Sequence, residues 1–192
     1  MEGLKEHLAS YLDHLRGAVL WKAKGLSDQE LTRPMVPTGT NILGLVQHLG
    51  FMEYGYFVQC LGFSVQDEHY AALTASRDDS ADMWVPAEVP CAKVLDFYRR
   101  AVAAANRNIG ALSLDAPATV PWWPEEKRHT TLGRLMVHMN VETARHAGHL
   151  DIVRELIDGS VGMRAENTSM PPLGDAGWAQ LHEKILRASE SR

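Results

Sequence analysis

Four apolar-patterned stretches of about twenty residues predict an all-α fold, a four-helix bundle with a short C-terminal helical extension. Three observations support this. Apolar residues recur at three- and four-residue steps, proline and glycine punctuate the ends of the stretches, and no run alternates well enough to be a strand. The balance of the 192 residues, 45% hydrophobic and 22% charged, is that of one globular domain with a sizeable core.

The first helix spans about residues 3–24 on a stripe of Leu4, Leu8, Tyr11, Leu12, Leu15 and Val19. Ser27 and Glu30 have capping-box spacing and open a short helical turn that Pro34 ends. The cluster Pro37-Thr38-Gly39-Thr40 breaks the chain, with Thr40 as the candidate N-cap of a second helix from about Asn41 to Cys60. Leu45, His48, Leu49, Met52 and Tyr56 share one face of it. Residues 62–88 are polar and read as irregular.

A third helix follows Pro90, which suits a first turn, and its stripe runs from Val94 through Tyr98 and Val102 to Ile109. Residues 113–129 read as a loop containing Pro121-Trp122-Trp123-Pro124. The fourth helix spans about Thr131 to Asp158 and stops at Gly159. Residues 1–159 are thus the bundle. Residues 160–192 are a linker and a last helix, carrying Trp178, Leu181, Ile185 and Leu186, expected to pack on the same domain.

A net charge of −5 without a basic block argues against nucleic acid and against an anionic membrane surface. No apolar stretch is long enough to span a bilayer, and the first ten residues lack a signal-peptide core. Two cysteines, Cys60 and Cys91, make neither a disulfide framework nor a four-cysteine metal cage. The expected compartment is the cytoplasm.

The chemistry lies in the nine histidines. On the fourth helix Glu142 and His146 stand at i and i+4, about 40° apart around the axis, so both can point at one ion. His149 falls about 20° and His138 about 40° to the other side of Glu142, and Asp151 lies off this strip. The strip adjoins the core-facing residues Leu135, Met139 and Ile152, where unpaired polar groups are costly. His48 sits on the apolar stripe of the second helix, which a bundle brings towards the fourth. Two ligands from one helix and a third from a facing one is how bundles build metal sites. The residues alone equally allow His48 to be a hydrogen-bonded core histidine and Glu142 to pair with Arg145 or Arg154. The pattern is not the His-Glu-x-x-His helix of zinc proteases, because here the glutamate itself takes a ligand position.

Two stretches carry a resemblance: Pro37-Thr38-Gly39-Thr40-Asn41-Ile42-Leu43-Gly44-Leu45-Val46-Gln47-His48-Leu49 and Glu142-Thr143-Ala144-Arg145-His146-Ala147-Gly148-His149-Leu150-Asp151. Together they resemble the signature segments of the DinB/YfiT-like superfamily, over about Leu4 to Gly159, and the nearer branch is one of unknown function. The resemblance implies a four-helix bundle, a homodimer, and a divalent metal held by His48, Glu142 and His146. Many relatives have His at the position of Glu142. The His-Glu-His version is similar to that of mycothiol-dependent maleylpyruvate isomerase, and His149 stands where many relatives have Gln.

Three protein ligands leave coordination positions open, as in catalytic sites. A divalent ion with Glu142 ionised has formal charge +1, which favours an incoming thiolate. The resemblance to thiol-using transferases and isomerases therefore implies a metal-dependent S-transferase, joining a low-molecular-weight thiol of the mycothiol or bacillithiol type to a small-molecule electrophile. His149 and His138 are the expected proton-transfer groups or partners of the ligands. Zinc suits the ligand set, and nickel, iron or manganese would be accepted. Metal-assisted hydrolysis and a non-catalytic metal- or ligand-binding bundle stay open beside it.

Other residues have simpler expectations. Trp122 and Trp123 either form a lid or anchor their loop on the bundle end, and Tyr54, Tyr56 and Phe57 belong to the core or a dimer contact. Cys91 is expected to be structural, His69 and His129 solvated, and Trp84 a plug at the end of the bundle.

Overall fold

A computed structural model describes residues 3–164 and 168–191. The chain divides into two compact units, Met1–Ser160 and Val161–Arg192. The first is the helical bundle. Its long helices are α1 (Leu4–Ala23), α3 (Ile42–Phe57), α5 (Cys91–Ala111) and α7 (Leu132–Asp158), with short helices α2 (Asp28–Thr32), α4 (Glu68–Ala75) and α6 (Glu125–Arg128) between them. In the second unit α8 (Gly174–Glu190) carries Trp178, Leu181 and Ile185 on one stripe.

The α7 helix packs along α1, and α3 packs along α5 while also touching α1 and α7. Leu43, Val46, Val94 and Leu150 meet at one level of the core, and Leu12, Phe57, Leu132 and Met139 at another. Each side chain so buried contributes about 1.5–3 kcal/mol of transfer free energy. Helix α3 is the centre of the bundle: His48, Phe51 and Met52 are its only residues that are not buried.

The ends of the helices follow the capping chemistry. Ser27 and Glu30 complete a reciprocal capping box at α2. The N-cap of α3 is Asn41, whose side-chain oxygen accepts from the Gly44 N–H at 2.8 Å, one residue beyond the expected Thr40. Thr131 caps α7, and Gly159 ends it at φ 76°, a left-handed backbone that glycine adopts without a Cβ penalty.

The connections differ from the expectation in two places. Residues 62–88 contain α4, capped by the Asp67 carboxylate at the His69 and Tyr70 N–H groups, and a 3₁₀ turn at Ala81–Met83. Residues 113–131 contain a two-stranded antiparallel ribbon, β1 (Pro117–Thr119) with β2 (His129–Thr131). Both elements are too short to carry a periodic signal, and the ribbon exists because partners ten or more residues apart meet over the bundle end.

Buried charge ties the helices together. The Arg16 guanidinium of α1 donates to both oxygens of Glu53 on α3, at 2.7 and 2.6 Å, and also to Asp13 and to Asn106 of α5. Burial opposes its charge, but Glu53 more than compensates and raises the Arg16 pKa above its ordinary value. Asp151, off the histidine strip, pairs with the buried Lys22 of α1 at 2.8 Å.

Candidate metal centre

His48, Glu142 and His146 converge where α3 faces α7. Their ligand-capable atoms all lie within 4.8 Å of one another. Glu142 Oε1 is 3.2 Å from His48 Nε2 and 3.0 Å from His146 Nε2, and the two imidazoles meet edge to face at 4.8 Å. Ligand atoms on a tetrahedral zinc with bonds of about 2.0–2.1 Å stand roughly 3.3 Å apart. The separations to Glu142 therefore fit a single ion held by two imidazoles and a carboxylate. All three side chains are partly open, which leaves room for a further ligand.

The other ring nitrogen of His48 is also held. Nδ1 lies 2.7 Å from Oδ2 of Asp82, in the 3₁₀ turn Ala81–Met83. A carboxylate on the far nitrogen fixes the tautomer, aims Nε2 at the ligand cluster and raises its basicity. Gln47, the neighbour of His48, clamps that turn by donating to the carbonyls of Ala81 and Trp84 at 3.0 and 2.8 Å. Close approach depends on Gly44: a Cβ there would stand 1.9 Å from the Met83 carbonyl oxygen. Asp82 and Gln47 are site residues that the spacing of the sequence did not single out. Asp82 lies in a polar segment without periodicity, 34 residues from the histidine it touches.

The charges respond to this geometry. Burial lowers the pKa of His48, but hydrogen bonds to Asp82 and then Glu142 outweigh it and raise it to about 9. Hydrogen bonds from His146 and then His48 hold the Glu142 carboxyl well below its usual range, against the opposing effect of burial.

The other two singled-out histidines lie on either side of the cluster. His149 is exposed, with Nδ1 3.3 Å from Nδ1 of His146, so it touches the side of that imidazole turned away from Glu142. Burial first, then His146 and Arg145, lower its pKa. His138 packs between Tyr56 and Trp123, with ring centroids at 4.8 and 5.1 Å, and burial lowers its pKa too.

The remaining aromatic and sulfur residues sort as follows. The indole N–H groups of Trp122 and Trp123 both donate to the Tyr56 hydroxyl, at 3.2 and 3.3 Å, which anchors the loop on the bundle. Tyr54, Tyr56 and Phe57 are buried. Cys60 and Cys91 are free and buried, and burial pushes their thiols up to about 12 and about 11, with a hydrogen bond to Asp28 adding to the second. Neither is a nucleophile at neutral pH. His129 is exposed as expected. His69 is only partly exposed and not fully solvated: its Nε2 lies 2.8 Å from Gln47 Oε1 and its ring packs 4.6 Å from Phe97. Trp84 is about half exposed and hydrogen-bonds Asp78, so it does not plug the bundle.

Residues 7–159 match the family described as Mycothiol-S-transferase, well over half of the chain. The chain belongs to that family. The match spans all four long helices, and with them the three clustered residues, in agreement with the DinB/YfiT-like resemblance of the two sequence stretches. No curated protein matches the chain significantly. Among the described residues no helix is long and apolar enough to cross a membrane. The family's name indicates an enzyme of the thiol S-transferase type acting on a small molecule.

Proposed function

We propose that this protein is a divalent-metal-dependent S-transferase that joins a low-molecular-weight thiol to a small electrophile. The observation that carries the proposal is the open His48–Glu142–His146 cluster in a member of the mycothiol-S-transferase family. The buried, weakly acidic cysteines support it as well, because the reacting sulfur must then come from a substrate.

A divalent ion held by His48, Glu142 and His146 would supply the Lewis acidity that favours the thiolate form of a thiol. Zinc is the expected metal, with nickel, iron or manganese as competitors for the same donors. The chain's own residues do the rest. With Glu142 ionised, the loaded site would carry charge +1 and favour an anionic sulfur. His149 or His138 would accept the one proton the thiol releases. Sulfur then forms a bond to the electrophilic carbon, and the leaving group departs with the electron pair of the bond it breaks. Mycothiol is the thiol of first choice, from the family description.

A thiol cosubstrate belongs to a reducing compartment, and we assign the protein to the cytoplasm on that ground. The apolar side chains Val137, Val141, Ile152 and Leu156 along α7 are exposed, Ile152 against the expectation that it faces the core, and they support assembly as a homodimer.

The test is metal content of protein purified without chelator or metal-affinity tag, wild type against His146→Ala, followed by turnover with mycothiol and a small alkylating electrophile. About one metal per wild-type chain, lost in the variant, with conjugation that requires the thiol, is the expected result. A wild-type protein that is empty and refuses zinc overturns the proposal. Turnover without any thiol indicates hydrolysis instead, and tight metal binding with no turnover indicates a binding protein.

A further inference from the structure

On α3, buried everywhere else, the three partly open residues are His48, Phe51 and Met52. They stand at i, i+3 and i+4 and so form one continuous strip on the helix surface. The strip leads from the ligand cluster into an apolar cleft of about 360 Å³, lined by Phe51, Met52, Gly55, Tyr70, Pro121 and Trp122. That volume lies within the range of about 300–1,000 Å³ typical of small-molecule sites. Met52, in the lining of the cleft, is one helical turn from His48, a spacing that puts their Cβ atoms about 5–6 Å apart.

The walls are aromatic. Phe51 and Tyr70 stack at 4.8 Å with planes 28° apart, and the Trp122 ring edge lies over Gly55. No lining residue is charged. Its two hydroxyls are occupied: that of Tyr70 donates to Gln59 at 2.6 Å, and that of Thr74 donates to the Tyr70 carbonyl at 2.9 Å. A ligand here finds π faces and a thioether, with the exposed Gln59 amide as the remaining polar group. On its far side the cleft shares Gln59, Tyr70 and Thr74 with a second recess bordered by Phe63 and Val65, which gives a longer ligand a way out to solvent.

We propose that this cleft is the acceptor-substrate subsite and that it takes an uncharged electrophile bearing an aromatic ring, with the ring between Trp122 and the Phe51–Tyr70 stack. The assignment of the bound group as an electrophile rests on the S-transferase reading; the existence of the aromatic subsite does not.

The experiment is equilibrium dialysis of 2-naphthol, an unreactive aromatic probe, against metal-free and zinc-loaded wild type, Gly55→Leu and Trp122→Ala. A leucine at position 55 adds atoms to the floor of the cleft: its Cβ alone meets Trp122 at 3.5 Å, an ordinary contact, and the rest of the side chain occupies the cleft. Saturable binding by both wild-type forms, weakened at least tenfold in each variant while helicity and zinc content stay unchanged, is expected. If Gly55→Leu does not fold, Trp122→Ala decides alone. Absence of saturable binding in wild type, or equal binding by the folded variants, overturns the subsite. Variant-sensitive binding by a wild type that takes up no metal keeps the aromatic subsite and overturns the S-transferase reading alone. Stoichiometric zinc without 2-naphthol binding does the reverse.

Discussion

The Nδ1 atom of His48 lies 2.7 Å from the Asp82 carboxylate, so an imidazole on the central helix is oriented by a short turn far from it in sequence. Asp82 is only about one-fifth exposed at its side chain, and the pair is shielded enough to matter. Replacing Asp82 by Asn keeps the shape and removes the charge. Zinc affinity, measured by competition with a chelator, should fall about 10–100-fold. Unchanged affinity would show that the pair does not support the ligand.

Gly44→Ala tests the same support from the backbone side. The added methyl would meet the Met83 carbonyl at 1.9 Å, and backbone on both sides leaves little freedom to yield. The turn must move and take Asp82 with it. The expected outcome is a loss of zinc affinity similar to that of Asp82→Asn, together with about 1–3 kcal/mol of lost stability in urea denaturation. Stability lost without a change in affinity would separate the turn from the site.

The pH dependence follows from His48. Against the opposing effect of burial, Asp82 and Glu142 raise its pKa from 6.5 to about 9 in the metal-free protein. The protonated ring therefore stabilises the metal-free fold fully below about 6.5, and this contribution is lost as pH rises through about 9. An incoming ion must expel that proton. Zinc affinity should consequently rise with pH, about tenfold per unit between pH 7 and 8.5. A flat profile over that interval would mean that His48 is not the group displaced.

Glu53→Ala probes the frame instead of the site. It removes the bidentate partner of the buried Arg16 guanidinium between α1 and α3 and leaves it only Asp13 and Asn106. Breaking one side of a buried pair costs about 3–5 kcal/mol. The urea midpoint should drop accordingly, while zinc stoichiometry in the folded variant stays at the wild-type value. A loss below about 1 kcal/mol would show that water reaches and rescues the arginine.

Much of the centre is legible in the order of the residues. Glu142 and His146 are one turn apart on a single helix, and helical geometry is local, so their convergence needs no knowledge of the rest of the chain. The four long helices are legible for the same reason, since each announces itself by the period of its own apolar residues. His48 comes next, because an imidazole on an apolar stripe must face the interior, although which helix it faces is not written in its neighbours.

Only the tertiary structure decided what completes the site. Asp82, the Gln47 clamp and the cleft at Phe51, Gly55 and Trp122 are contacts between segments tens of residues apart, made by a 3₁₀ turn and a loop that have no period to read. His69 shows the same limit: in a polar segment it reads as solvated, and the fold tucks it against Phe97 and Gln47. The amino-acid sequence by itself determined the helices and the faces they present, because those depend on neighbours within one or two turns. Which faces meet, and which irregular segments close over them, depends on the packing of the whole core, and that is settled only when the chain is folded.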